Sequence, residues 1–329
     1  MSGIVLEKKN ASTGMTKKEF ISKFGSLLGL VLLVITLSLL NAQFFTVNNF
    51  MNIANQTSIN ALLALGVLLP ILTAGIDLSI GAILAISIMM MGVVTVNFGA
   101  NPFVGILVCL VTGAFFGLVN GLLLTKLRLP HPFISTLGTM NIARGLALIV
   151  TGAAPIAGFP VFIQYFGSGN IAGTVPFSFI LVLIMAVLIH IFLNRTMTGR
   201  YIYAIGGNKE AARLSGINVN KVLVLVYVLS GLMAGLAGLV MVGRVNSAFP
   251  LAGMGYELDA IAAVIIGGAS LFGGVGTVWG TLIGALIIAV LRNGLNLIGV
   301  PADLQLAFIG FVIIAAVYVD VLRQKPNKN

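Results

Sequence analysis

The chain has 329 residues, of which 59% are hydrophobic and 8% charged, with a formal net charge of +10. Soluble proteins carry about 25% charged residues, so this composition excludes a soluble domain and defines an integral membrane protein. A single cysteine, Cys109, lies inside an apolar run, which excludes a disulfide framework and a cysteine metal site.

The apolar runs are long and lack the two-residue alternation of barrel strands, so the expected fold is all-α. About 20 apolar residues rising 1.5 Å each cross a hydrocarbon core about 30 Å thick, and on that measure ten transmembrane helices are expected, some short or broken. Residues 1–24 form a lysine-rich tail, 25–322 the transmembrane domain with a polar loop at 194–221, and 323–329 a second tail. The first apolar run follows basic residues but is too long for a signal peptide and lacks a small-residue cleavage context, so it reads as a retained span.

Span 1 covers about 25–45 and span 2 about 52–74. The first turns of span 2 carry Asn52, Asn55, Gln56, Thr57, Ser58 and Asn60, which need polar partners in lipid. Asp77 follows between Gly75 and Gly81. It is either the N-cap of span 3 or a polar residue at a helix break of the kind that builds transporter sites, and the two roles are compatible. Span 3 is expected at 78–97 and span 4 at 103–124. Gly113, Gly117 and Gly121 in span 4 form a face that admits another helix closely.

His131, between two prolines, is expected at the water interface. Span 5, about 132–152, holds Asn141 and Arg144; a charge at the centre of a span costs roughly 2.5–3.5 kcal/mol, which points to a carboxylate partner or a polar cavity. The loop at 153–174 has no charge. Span 6 (175–193), carrying His190 without a ligand set, leads into the polar loop. Span 7 (222–242) again has spaced glycines, and Arg244 and Glu257 follow on the outer side. A short span 8 (258–272) ends in Gly267–Gly276, read as a break between helices because no strand or P-loop pattern accompanies it. Span 9 (276–297) ends with Arg292, Asn293 and Asn296, and span 10 covers 303–321. Glycine spacing and the Asn120-Gly121 and Asn293-Gly294 pairs make a faint internal repeat.

Both ends are expected in the cytoplasm, since ten spans put them on one side and fifteen of the 18 Lys and Arg then fall there. Asn55, Asn60, Asp77, Asn141, Arg144, Asn293 and Asn296 are the candidate residues of a pathway for a neutral polar solute. The chain has no nucleotide-binding loop and no cofactor site is expected on it, so ATP and Mg would belong to a separate ATPase. The alternative is a proton- or sodium-coupled carrier, for which the few carboxylates near span ends are poor equipment.

The polar loop supplies the deciding pattern. Asn208 can cap a short helix, Glu210 sits in its first turn and Gly216 can end it. Glu210-Ala211-Ala212-x-x-x-Gly216 resembles the coupling loop of ABC-importer permeases, although the Ile-x-Leu-Pro that follows in the wider pattern is absent. With Ala74–Gly81, Ile205–Lys221, Gly255–Ala263 and Asn293–Val300, the chain resembles the ribose-type sugar ABC permeases over about residues 30–322. That resemblance implies a permease and not an enzyme, in a bacterial inner membrane, paired with a second permease copy or homologue. It implies an ATP-binding subunit docked on Asn208, Glu210, Ala211, Ala212, Arg213, Leu214 and Gly216. It further implies a soluble sugar-binding protein outside, for which Arg244 and Glu257 are the candidate contacts. Ribose is the expected sugar.

Overall fold

The computed structural model describes residues 17–127, 129–171 and 173–324. The expected tail residues 1–16 and 325–329, and Arg128, lie outside the described residues. In chain order the helices are α1 (Lys17–Leu40), α2 (Val47–Leu72), α3 (Ile80–Gly92, continued by a π-helical turn Val93–Asn97), α4 (Pro102–Thr125), α5 (Pro132–Ile149), α6 (Val161–Ser168) and α7 (Phe177–Arg195). They continue with α8 (Met197–Gly207), α9 (Lys209–Leu214), α10 (Val219–Val245), α11 (Tyr256–Ile266), α12 (Val278–Leu297) and α13 (Ala302–Gln324).

An all-α membrane architecture is therefore borne out, but the count of ten spans is not. Among the described residues six helices are long and apolar enough to cross a membrane: α2, α3 with its π turn, α4, α7, α10 and α12. The other expected spans fall short for separate reasons. α11 has 11 residues, about 16 Å of helix. α5 carries Thr136, Thr139, Asn141 and Arg144 along its length. α1 and α13 are helical over 24 and 23 residues, and the apolar stretches described within them are Gly25–Leu40 and Ala302–Ala315.

α2 is the hub. Nearly all of it from Thr57 to Leu72 is buried, and it packs against α10, α11, α12 and α7. Its polar first turns face protein: Asn49, Thr57, Ser58 and Asn60 are buried. α10 answers α2 on the other side of the core, packing against α3 and α4 as α2 packs against α11 and α12. Gly66 of α2 meets Ser230 and Met233 of α10, whereas Gly75, just after α2, meets the earlier Tyr227, so the two hubs run in opposite directions. Two sets of helices, α2 with α11 and α12 and α10 with α3 and α4, thus pack around a pair of antiparallel hubs.

The glycine stripes are the contact surfaces between these sets. A Cβ on Gly113 would strike the backbone of Gly231, one on Gly117 the carbonyl of Tyr227, and one on Gly121 the backbone of Val224. α12 approaches α11 the same way, Gly280 against Gly267 and Gly284 against Ala263. Cys109 is buried in the first interface and its thiol donates to the Gly235 carbonyl.

Because the obstacle at Gly117 is backbone, neither helix can yield locally, and overpacking of about 1–3 kcal/mol is the minimum cost. Gly117→Ala is expected to cut the yield of monodisperse protein several-fold. Gly29→Ala, where a Cβ meets nothing within 4 Å, should match or slightly exceed wild type, since alanine favours the helix. Equal yields by fluorescence-detected gel filtration would show that the α4–α10 contact is not close.

The uncharged stretch 153–174, expected as a plain loop, is structured. It contains α6, whose Gly167 packs against the α10 backbone at Val240 and Gly243, and a two-residue strand pairing Ile156–Ala157 with Ser247–Ala248.

Candidate transport and coupling sites

At one end of the bundle α8 and α9 form a small polar cap. α8 starts at Thr196, whose hydroxyl accepts from the Gly199 N–H, and buries Ile202 and Ile205. α9 follows after Asn208, whose Oδ1 accepts from the Ala211 N–H at 3.0 Å. The helix ends where Gly216, at φ +84°, lets the Ile217 N–H reach back to the Ala212 carbonyl at 3.1 Å, a left-handed cap. A six-residue helix does not stand alone in water. It is seated by buried Ala212 and by Ile217, which packs on the main core.

The other face of α9 is free. Leu214 is 83% exposed, and Ala211, Ser215 and Gly216 are exposed beside it. Glu210 and Arg213 pair at 2.9 Å with both side chains 68% exposed. Such a pair adds only a few tenths of a kcal/mol to the helix, so its charges remain available to a partner.

Beneath this cap three backbone segments meet in glycine contacts that admit no side chain. Gly206 abuts the Leu72 carbonyl and Gly274; Gly273, at φ +86°, abuts Ala74 and Gly206. The Gly274 N–H donates to the Leu72 carbonyl at 3.0 Å, and the Tyr203 hydroxyl donates to the Gly276 carbonyl at 2.9 Å. A displacement of α8 must therefore reach the end of α2 and the Gly267–Gly276 loop together. A cavity of ≈ 670 Å³, lined by Thr73, Gly75, Thr125, Asn208, Glu210 and Tyr227 among others, separates α9 from the break after α2.

Asp77 sits inside that break, fully buried. Its Oδ1 accepts from the Ser79 N–H at 3.0 Å and the Ser79 hydroxyl at 2.6 Å, and its Oδ2 accepts from the Ser230 hydroxyl at 2.8 Å. The Asn120 amide donates to the Ser79 Oγ at 2.7 Å. Asp77 thus closes a turn two residues before the N-cap of α3, which is Ser79, and it ties α3 to α10 and α4.

The other candidate pathway residues do not converge. Asn55 accepts from Ser178 on α7 at 3.2 Å. Asn293 donates to Asn49 at 2.9 Å inside the protein. Asn141 is exposed, its amide bonded only to its own turn at Leu137. It shares that face of α5 with Gly138 and Gly145, where an added Cβ would meet nothing within 4 Å. Arg144 finds two backbone carbonyls, Pro250 at 2.8 Å and Ala252 at 2.7 Å, instead of a carboxylate salt bridge. These belong to the 246–255 segment, which folds back so that Gly253 and Glu257 meet Gly81 at the start of α3. Glu257 is therefore half-buried beside α3, while Arg244, at the end of α10, is exposed. Asn60 and Asn296 do come together, in a polar cavity with Arg244 at the end opposite α8 and α9.

Sequence reasoning missed Ser79, Ser230 and Asn120, and the ion pair of Arg292 with buried Asp259 at 2.7 Å. The signal for the latter was present: two charges of opposite sign in neighbouring apolar helices.

A helical membrane bundle with paired inverted hubs, a break under a polar cap, and no nucleotide-binding loop is a membrane permease subunit. Residues 49–317 match the family model described as "Branched-chain amino acid transport system / permease component". The chain is 45% identical over 314 residues to the ribose import permease protein RbsC of Escherichia coli strain K12, covering 93% of this chain and 96% of that one. It is 47% identical over 300 residues to the RbsC of Bacillus subtilis strain 168, at 91% and 92% coverage. With the D-allose transport system permease protein AlsC of E. coli it shares 42% over 312 residues, at 93% and 94%. No solved structure matches it. The chain belongs to this permease family, as a ribose-type ABC sugar permease of the inner membrane.

Proposed function

We propose that the chain is the membrane subunit of an ATP-driven monosaccharide importer, with ribose as the sugar carried. Two of the relatives above are ribose permeases and one is an allose permease, so ribose is the first choice within a class of small sugars. A soluble binding protein delivers the sugar at the end bearing Arg244. A separate ATPase, carrying ATP and Mg, docks at α8–α9, and the polar ends of the chain lie on that same cytoplasmic side, with 25–322 as the membrane domain.

The observation that carries this reading is α9. It is seated by buried Ala212 and by Ile217 after it, and presents the exposed Leu214 beside the exposed Glu210–Arg213 pair, a surface whose apolar part a docked partner would bury. ATP-driven closure of the partner would push α8 against Leu72 and Gly274, and the glycine interfaces of α4, α10 and α12 would let packed helices shift. A second permease copy belongs on the α5 face, where Asn141 is exposed and a Cβ on Gly138 or Gly145 would meet nothing within 4 Å, so that the pathway runs between copies.

The test is uptake of labelled ribose in a strain lacking its own ribose permease, with the matching binding protein and ATPase supplied. Ribose uptake competed by excess ribose more strongly than by allose or fructose is expected. Better competition by another sugar would replace ribose, and no saturable sugar uptake would overturn the importer reading.

A further inference from the structure

At the end of the bundle opposite α8 and α9, helices α2, α10, α11, α12 and α13 enclose a cavity of ≈ 270 Å³. One water occupies roughly 30 Å³ in the liquid, so the space suits a molecule much larger than a single water. Most of its lining residues carry a polar group, beside Ile59 and Ala289; Gln56, Asn60, Arg244, Tyr256, Arg292 and Asn296 carry the argument. Arg244 and Asn296 are exposed and mark the mouth. Asn60 is 8% exposed and lies inside.

Most polar groups here are spoken for. Arg292 pairs with Asp259 through one terminal nitrogen, and the Asn296 Oδ1 accepts from Gln305 at 2.8 Å. Two buried atoms are left. Among the described residues no group donates to Asn60 Oδ1 and none accepts from Arg292 Nε. A buried polar atom without a partner is costly, so each is to be satisfied by water or by a ligand atom.

The two demands are opposite in kind, one for a donor and one for an acceptor. A carboxylate or phosphate oxygen cannot donate to Asn60, and an ammonium cannot accept from Arg292. A hydroxyl does both, and it would serve equally if the Asn60 amide were turned over. Asp259 and Arg292 offset each other, which leaves Arg244 at the mouth as the unpaired charge among the described lining residues.

From this we infer that the cavity binds a monosaccharide, through hydroxyls on Asn60 and Arg292 Nε, and is entered between Arg244 and Asn296. It lies within one copy of the chain, apart from the α5 face, and would hold sugar at the end where the binding protein releases it. The inference rests on the sugar-import reading above.

The experiment is saturation-transfer NMR on the permease in lipid nanodiscs, with ribose, allose and fructose as probes and succinate as a compact ligand without hydroxyls. Wild type is expected to give transfer to at least one sugar and none to succinate. Asn60→Leu and the less buried Gln56→Leu should each weaken sugar binding about tenfold, the worth of one buried hydrogen bond. Ser168→Ala, exposed on α6 and outside the cavity, should bind as wild type, and gel filtration of each variant reports folding. Absence of transfer to every sugar, transfer undiminished in both lining variants, or preference for succinate would overturn the site. If that happens while cells still import sugar, the cavity inference fails alone; if cells import none, the importer reading fails on its own evidence.

Discussion

Leu214→Asp is expected to leave the permease folded and to abolish its association with an ATP-binding subunit. The leucine is 83% exposed, so within the isolated chain the change falls in the range of surface substitutions, about ±0.5 kcal/mol. In a docked complex the same side chain would be buried, and an unpaired carboxylate there costs at least the roughly 2 kcal/mol that marks a hot-spot residue, about 30-fold in affinity. Co-purification in lipid nanodiscs reads this directly. Glu210→Ala with Arg213→Ala should weaken the same association while changing helix stability little, because both side chains are largely exposed in the free chain. Undiminished association in Leu214→Asp would move the docking surface away from α9.

Asp77 separates the two energy sources. As a structural acceptor it holds two hydroxyls and one backbone N–H, and among the described residues no cation pairs with it. Asp77→Leu strands all three donors at about 1–3 kcal/mol each, so little folded protein is expected. Asp77→Asn retains an acceptor for Ser79 and offers its amide to the Ser230 oxygen, so it should keep more than about half of wild-type uptake at equal expression. An ion carrier would behave oppositely: removal of the titrating group would end coupled uptake with the fold intact. Uptake by Asp77→Asn, corrected for membrane expression, distinguishes the two.

Local chemistry made much of this legible in the sequence. Asn208, Glu210 and Gly216 specify the start, first turn and end of α9 through interactions within a few residues, and the helix forms at those positions. The spaced glycines of spans 4 and 7 predicted close helix contacts, which the fold realises between α4 and α10. Arg144 was recognisable as a costly charge, but its partners are carbonyls of the 246–255 segment, and any residue type supplies a carbonyl, so nothing in the sequence marks them. The asparagines were ambiguous for a related reason: an amide on an apolar helix meets either a cavity or another helix, and Asn293 met Asn49 while Asn60 met a cavity. The count of ten spans failed because hydropathy does not register where a chain turns back. α11 is apolar but short, and it is buried against α2 and α12.

The central claim is that an ATPase on another chain drives sugar through this one. The most direct measurement is sugar accumulation in proteoliposomes containing the permease and its ATP-binding subunit, with sugar-loaded binding protein outside and ATP within, with and without a protonophore and a sodium ionophore. The account predicts accumulation that requires ATP, continues when both ion gradients are collapsed, and is accompanied by hydrolysis stimulated by the loaded binding protein. Accumulation that persists without ATP and stops when an ion gradient is collapsed would contradict it.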